Sequence, residues 1–331
     1  MFPQNHRFRA IAVKILALLC ACVFLLAPAT PTQALPQAFF HTQSLGNRGT
    51  DVKAIQYLLS ISPSGVFDSS TESAVRNFQQ AWGLSVDGIV GPATWDRLIV
   101  TVRYGNSGNA VRAVQTLLNE KVNARLTVNG TFDAATDSAV RNFQSHAQLS
   151  PVDGIVGPTT WKNLIWHYEP INFNQASVCP YNYWNGPDSK WGTAAAVGQM
   201  EAAANAMYQA GYGGVAIEAL SLEHGGDIVN HSSHEVGLDV DIQVMRKDGK
   251  QCPAPSDPST VVDRFHPNYD QARTRELIKQ LRAYAPNHVI RIFFNDPVLI
   301  NEGLTTYEPN HDDHLHVRYC EKVHSDSRYD C

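Results

Sequence analysis

The chain has 331 residues, room for two or three ordinary domains and at least one sizeable core. Charged residues make up 17% and the hydrophobic set 44%, which excludes a wholly disordered chain. Lys and Arg number 26 against 31 Asp and Glu, and a net charge of −5 argues against a nucleic-acid binder that needs a broad basic face.

In chain order, Arg7, Arg9 and Lys14 precede the apolar run Ile15–Ala27, and small residues follow up to Ala34. This pattern predicts a signal peptide over 1–34 and an exported protein, periplasmic or associated with the cell wall. An N-terminal membrane anchor is the competing reading. No later segment approaches the roughly 18 apolar residues of a membrane span, so no permanent membrane anchor is expected. Cys20 and Cys22 fall in the removed piece, leaving Cys179, Cys252, Cys320 and Cys331. An even number in an exported chain reads as disulfides rather than catalytic thiols. Cys320–Cys331 with Cys179–Cys252 is the expected pairing, which the sequence alone does not fix.

A duplication fills the first half. Asp51-Val-Lys-Ala-Ile-Gln-Tyr-Leu-Leu59 answers Ala110-Val-Arg-Ala-Val-Gln-Thr-Leu-Leu118, and Ser73–Gln79 recurs unchanged as Ser138–Gln144. Val86–Pro92 recurs as Val152–Pro158, and Trp95 is matched by Trp161. The offset grows from 59 to 66 residues, which puts an insertion near Lys121–Leu126. Val52, Ile55, Leu58 and Leu59 form one apolar helical face, and Ala74, Val75 and Phe78 a second. Asp68 or Ser69 can cap the second helix and Pro92 suits the first turn of a third. Each copy is thus a three-helix module, over 43–100 and 101–166, with Trp82, Trp95 and Trp161 expected in the core.

The blocks Ala-Val-x-x-Phe-Gln and Val-Asp-Gly-x-Val-Gly-Pro-x-Thr-Trp resemble the peptidoglycan-binding-like repeat found beside wall hydrolases. The resemblance implies peptidoglycan as partner, with a purely structural spacer as the alternative.

Residues 167–188, with Pro170, Pro180, Pro187 and several Asn, read as a linker before a domain over 189–331. Thr193–Gln209 and Asp270–Tyr284 carry helical spacing, closed by Gly211 and Pro286. Gly213–Ser221, Leu238–Val244, Val289–Phe294 and Leu315–Tyr319 read as strands. The fold class is therefore multidomain, two all-α modules followed by an α+β domain with a mixed or antiparallel sheet.

Two clusters carry chemistry: His231-Ser-Ser-His234-Glu-Val-Gly237-Leu-Asp239-Val-Asp241 and His311-Asp-Asp-His314-Leu-His316-Val-Arg318. Thirteen His in the chain would ordinarily be scattered surface groups, but five fall in these two windows. On a strand His314, His316 and Arg318 share a face while Leu315 and Val317 face the core. Histidines with a carboxylate can supply the three ligands of a catalytic zinc and leave a position for water. No His-Glu-x-x-His and no Gly-x-Ser-x-Gly elbow is present.

Ser233-His-x-x-Gly-x-x-x-Asp241 with His314-x-His316 resembles the zinc peptidases grouped with lysostaphin, D-Ala-D-Ala carboxypeptidase and sonic hedgehog. Closer still is the penicillin-insensitive murein endopeptidase family. That resemblance implies His234, Asp241 and His316 as ligands of Zn²⁺ and His311 as general base. It places His314 beside the metal and His231 as a supporting or additional ligand. Arg318 is a candidate for a substrate carboxylate, with a strand-end salt bridge as the alternative; Asp239 is read as structural. The implied activity is zinc-dependent endopeptidase cleavage of stem-peptide or cross-link amides, of D-alanyl–diaminopimelyl type. A D,D- or L,D-carboxypeptidase, or a non-catalytic wall-binding protein, are the alternatives.

Overall fold

The computed structural model describes residues 35–181, 189–228, 231, 233–252 and 261–331. The expected signal peptide, 1–34, and residues 182–188 of the expected linker lie outside the described residues. Leu35–Cys331 forms one compact unit.

The first half is helical: α1 (Thr50–Leu58), α2 (Ser69–Ala81) and α3 (Pro92–Leu98), then α4 (Asn109–Val122), α5 (Ala134–His146) and α6 (Pro158–Trp166). The insertion in the second copy lengthens its first helix, 14 residues in α4 against nine in α1. Asp68 and Asp133 cap α2 and α5 by accepting from the Thr71 and Thr136 N–H groups. Pro92 and Pro158 open α3 and α6, where a missing N–H costs nothing.

Four glutamines do one task four times. The Oε1 atoms of Gln56, Gln79, Gln115 and Gln144 accept from the N–H groups of Gly65, Gly88, Gly130 and Gly154 at 2.8–2.9 Å. Each Nε2 donates to the carbonyl of the residue after that glycine and to a buried threonine. The glycines all have φ between 72° and 77°, so the turn needs Gly and the buried amide satisfies its backbone. This accounts for Gln at the same place in both copies. Trp95 and Trp161 are fully buried and donate to the carbonyls of His41 and Val100. Trp82 departs from the expectation: it is 52% exposed at the end of α2, with the Arg97 guanidinium 5.4 Å from its ring centroid. The two modules share one core, in which Val52, Ile55 and Phe67 of the first join Val111, Val114 and Leu117 of the second.

The second half is α+β. A short pair, β1 (Glu169–Pro170) and β3 (Trp191–Gly192), flanks a five-stranded sheet. The sheet contains β2 (Val178–Pro180), β4 (Val215–Ala219), β5 (Asp239–Gln243), β6 (Val289–Phe293) and β7 (His314–Tyr319), in the order β2-β4-β5-β7-β6. Among the described strand pairs of this sheet, β2 and β4 run parallel and the others antiparallel. Helices α7 (Ala194–Gln209) and α8 (Gln271–Tyr284) contribute Met200, Met207, Leu277 and Leu281 to the core with Val240, Ile242, Leu315 and Val317. A short α9 (Pro297–Asn301) follows β6. Cys179–Cys252 and Cys320–Cys331 are bonded, the pairing expected.

The described part of the expected linker is built into the fold. His167 and Tyr168 are buried, Glu169–Pro170 pair with Trp191–Gly192, and Val178–Pro180 edge the main sheet. Prolines suggested a free connection, but Ile171 and Val178 have apolar core to fill.

The halves are closely joined. A Cβ on Gly198 of α7 would lie 2.8 Å from the Gly49 Cα, so glycine permits α1 and α7 to touch. Glu321 accepts from the Thr42 N–H and meets His41 at 2.6 Å. Lys121 Nζ lies 2.9 Å from Asp51, both within 1% of full burial, and also donates to the Ile165 carbonyl. Glu169 is buried beside this pair. Burial pushes its carboxyl up to about 8, against the pull of Lys121 and with the help of Asp51. Its unfolded value is near 4.5. The folded state thus holds the proton more tightly, and this stability is complete below the unfolded pKa and lost as pH rises through about 8. Glu169→Gln is expected to flatten the fall in melting temperature between pH 5 and 8, with a change on the order of a few kcal/mol. Melting curves of both proteins across that range check it; parallel profiles would refute the assignment.

Candidate metal centre

β5 and β7 pair antiparallel with Asp241 opposite His316 and Asp239 opposite Arg318. The alternation that sends Leu315 and Val317 into the core therefore lines up acids and imidazoles on the other face. All of β5 is buried, including both aspartates. The loop before β5 supplies His231 and His234. His234 is fully buried with φ 78°, a conformation costly for a non-glycine residue. Its backbone N–H donates to Asp239 and its ring holds the Leu220 carbonyl at 2.6 Å, which fixes it there. Gly237 turns the loop at φ 68°; a Cβ would meet the Tyr168 ring at 2.9 Å.

Asp241 is the point of convergence. Its Oδ2 lies 3.1 Å from His234 Nε2 and 3.6 Å from His231 Nδ1. Its Oδ1 lies 2.9 Å from His316 Nδ1 and 3.8 Å from His314 Nε2. Donor atoms of His231, His234 and Asp241 all fall within 4.8 Å of one another. Burial alone would raise the Asp241 carboxyl, but His234, His314 and His316 outweigh it and hold the pKa well below the carboxylate range. Burial likewise disfavours charge on His314 and His316, yet Asp241 raises both to about 9.

The donor set fits a metal. A carbonyl only accepts, so His234 Nδ1 carries the hydrogen toward Leu220 and Nε2 presents a lone pair to Asp241. His234 Nε2 and Asp241 Oδ1 are buried without a hydrogen-bond partner, a costly arrangement that a cation between them relieves. His316 donates from Nε2 to Asp239 at 2.9 Å and so presents Nδ1 to Asp241. Imidazole backed by a carboxylate is the usual support of a metal ligand.

Asp239 therefore does more than the sequence reading assigned. It orients His316 and is itself gripped by Arg318 Nε at 2.8 Å and the Tyr329 hydroxyl at 2.6 Å. Arg318 makes the salt bridge that was its alternative reading, to Asp239 behind His316. Tyr329 was not singled out, since nothing in its neighbourhood hints at a partner 90 residues away. Glu218 was also missed. It interrupts the apolar β4, accepts from Gln243 Nε2 at 2.6 Å, and burial pushes its carboxyl up to about 7 against the pull of His314. His311 packs against His314 at a centroid distance of 4.8 Å, its Nδ1 donating to the Pro309 carbonyl. Burial, helped by His314, lowers its pKa from the ordinary 6.5.

Residues 48–98 and 107–164 match the family described as a putative peptidoglycan binding domain. Both helical repeats are thus similar to that family. The chain is also similar, over part of its length, to curated proteins. N-acetylmuramoyl-L-alanine amidase CwlM of Mycobacterium tuberculosis is 35% identical over 111 residues, 30% of this chain and 27% of the amidase. Zinc D-Ala-D-Ala carboxypeptidase of Streptomyces albus G is 36% identical over 109 residues, 30% of this chain and 41% of that enzyme. A peptidoglycan-binding protein from Clostridioides difficile, solved with glutamine hydroxamate, is 45% identical over 17% of this chain and 39% of its own, with a TM-score of 0.17. The chain spans less than half the length of each of these proteins.

Proposed function

We propose that the chain is a wall-acting zinc peptidase, an endopeptidase of peptidoglycan stem-peptide or cross-link amides that its repeats hold on the polymer. The observation that supports this reading is the convergence of His231, His234 and His316 on the buried Asp241 carboxylate, in a chain with two repeats that match a peptidoglycan-binding family. Zn²⁺ held by these three residues, with His231 as a further donor, supplies polarisation of the scissile carbonyl and a nucleophilic water near neutral pH.

The protein supplies the proton handling and the orientation. His311 has Nδ1 tied to the Pro309 carbonyl, so Nε2 is the lone pair that accepts a proton and passes it to the leaving amine. Its lowered pKa keeps that lone pair available at neutral pH. His314 is held by Asp313 at 2.8 Å and carries a proton suited to steadying a developing oxyanion. Asp239, braced by Arg318 and Tyr329, fixes the His316 ring.

The test is digestion of cross-linked peptidoglycan with and without a chelator, the soluble products identified by mass. Chelator-sensitive loss of dimeric muropeptides, restored by zinc, is the expected result. Release of single D-amino acids with cross-links intact would make it a carboxypeptidase, and wall binding without cleavage at any zinc level would leave a non-catalytic wall protein. His311→Ala is expected to retain metal and lose roughly 10²–10⁴ in rate; full activity would exclude it as the base.

A further inference from the structure

A second cluster of metal-binding side chains lies away from Asp241, where the second repeat meets the α+β half. It gathers His146 from the end of α5, His167 just after α6, and Glu223 with His224 from the loop after β4. One donor atom from each of the four lies within 4.8 Å of every other. Glu223 Oε1 is 3.0 Å from His146 Nε2 and 3.5 Å from His167 Nε2. The His224 ring stacks on Trp166 at 5.8 Å and meets the His167 ring edge-on at 5.0 Å.

The hydrogen bonding is incomplete in a particular way. His167 is 98% buried and its Nδ1 lies 2.6 Å from the Tyr168 carbonyl, which can only accept. The hydrogen is therefore on Nδ1, and a neutral ring turns the Nε2 lone pair toward a carboxylate oxygen. Nε2 has no hydrogen-bond partner, and neither has the buried Nδ1 of His224. A second proton on His167 would satisfy the contact only at the cost of a charge on a fully buried ring. A buried imidazole lone pair turned toward a carboxylate oxygen calls for a cation between them.

We propose that His146, His167, Glu223 and His224 form a structural Zn²⁺ site that clamps the second repeat to the α+β half. Three imidazoles and a carboxylate suit zinc or a neighbouring borderline metal rather than calcium or magnesium. Four protein ligands fill a tetrahedron and leave no open position, the mark of a structural rather than catalytic ion. The donors come from three separate segments, so one ion ties α5, the α6 exit and the loop after β4 together.

Metal content decides it. The Asp241→Ala protein, from which the other centre is removed, is dialysed against Zn²⁺ and its bound zinc counted by mass spectrometry. Adding His146→Ala and His224→Ala is expected to remove one equivalent per chain. Zinc is also expected to raise the melting temperature of Asp241→Ala by about 5 °C at a hundredfold excess over Kd, and not that of the triple variant. An unchanged zinc count would overturn the proposal. Should the triple variant not fold, Glu223→Gln in the Asp241→Ala background, which keeps shape and removes charge, reads the same loss. The comparison is blind to hydrolysis, so it stands or falls separately from the peptidase reading.

Discussion

Asp241→Ala is expected to remove zinc from the candidate centre and abolish peptidoglycan cleavage together, while the fold persists. Four imidazoles converge on this carboxylate, and His314 and His316 owe their raised pKa values chiefly to it. Without it they have no anion to share and no third ligand to complete a site. Asp239→Ala is expected to act more gently, weakening zinc affinity by roughly 10–100-fold because His316 loses its support while keeping its donor atom. Competition with a chelator of known affinity measures both. Undiminished cleavage by Asp241→Ala would end the metallopeptidase reading.

Lys121→Met is expected to destabilise the protein by about 3–5 kcal/mol, because it leaves Asp51 charged and buried with no counterion. For a protein of this size that lowers the melting temperature by on the order of 10 °C. Lys121→Met with Asp51→Leu is expected to recover most of the loss, since replacing both members of a buried pair by apolar groups is often neutral. Thermal melts of the two variants make the comparison. If the single variant melts within about 2 °C of the parent, the pair is not sealed from water as described.

The repeats were legible because duplication writes the same local rules twice: a cap, an apolar helical face and a helix-opening proline recur in the same order in both copies. Strands β5 and β7 were legible through their alternation, and the two His windows through their density. What was not legible depends on distance along the chain. Asp239 meets Arg318 and Tyr329 across 79 and 90 residues, and no local pattern marks Tyr329 as its partner. Lys121 looks like an ordinary helix-surface lysine until the longer α4 carries it against Asp51. The four residues of the second cluster come from three segments, each with an unremarkable share of His or Glu. The proline-bearing segment after α6 was misread for a related reason: prolines describe what the backbone avoids, and Ile171 and Val178 had to be matched to a core that other segments complete.

The close approach of Gly49 to Gly198 has a consequence for how the molecule would work on a polymer. A binding module on a slack tether lets an enzyme search a volume, and its gain falls off as the tether lengthens. Here α1 rests against α7 with no room for a methyl group, so the repeats act as a fixed arm rather than a leash. Under the function proposed above, a grip on the wall through such an arm would reach bonds at one set span from its foothold. The products would then carry that span as a periodic fragment length, whereas a tethered enzyme would leave fragments of every size.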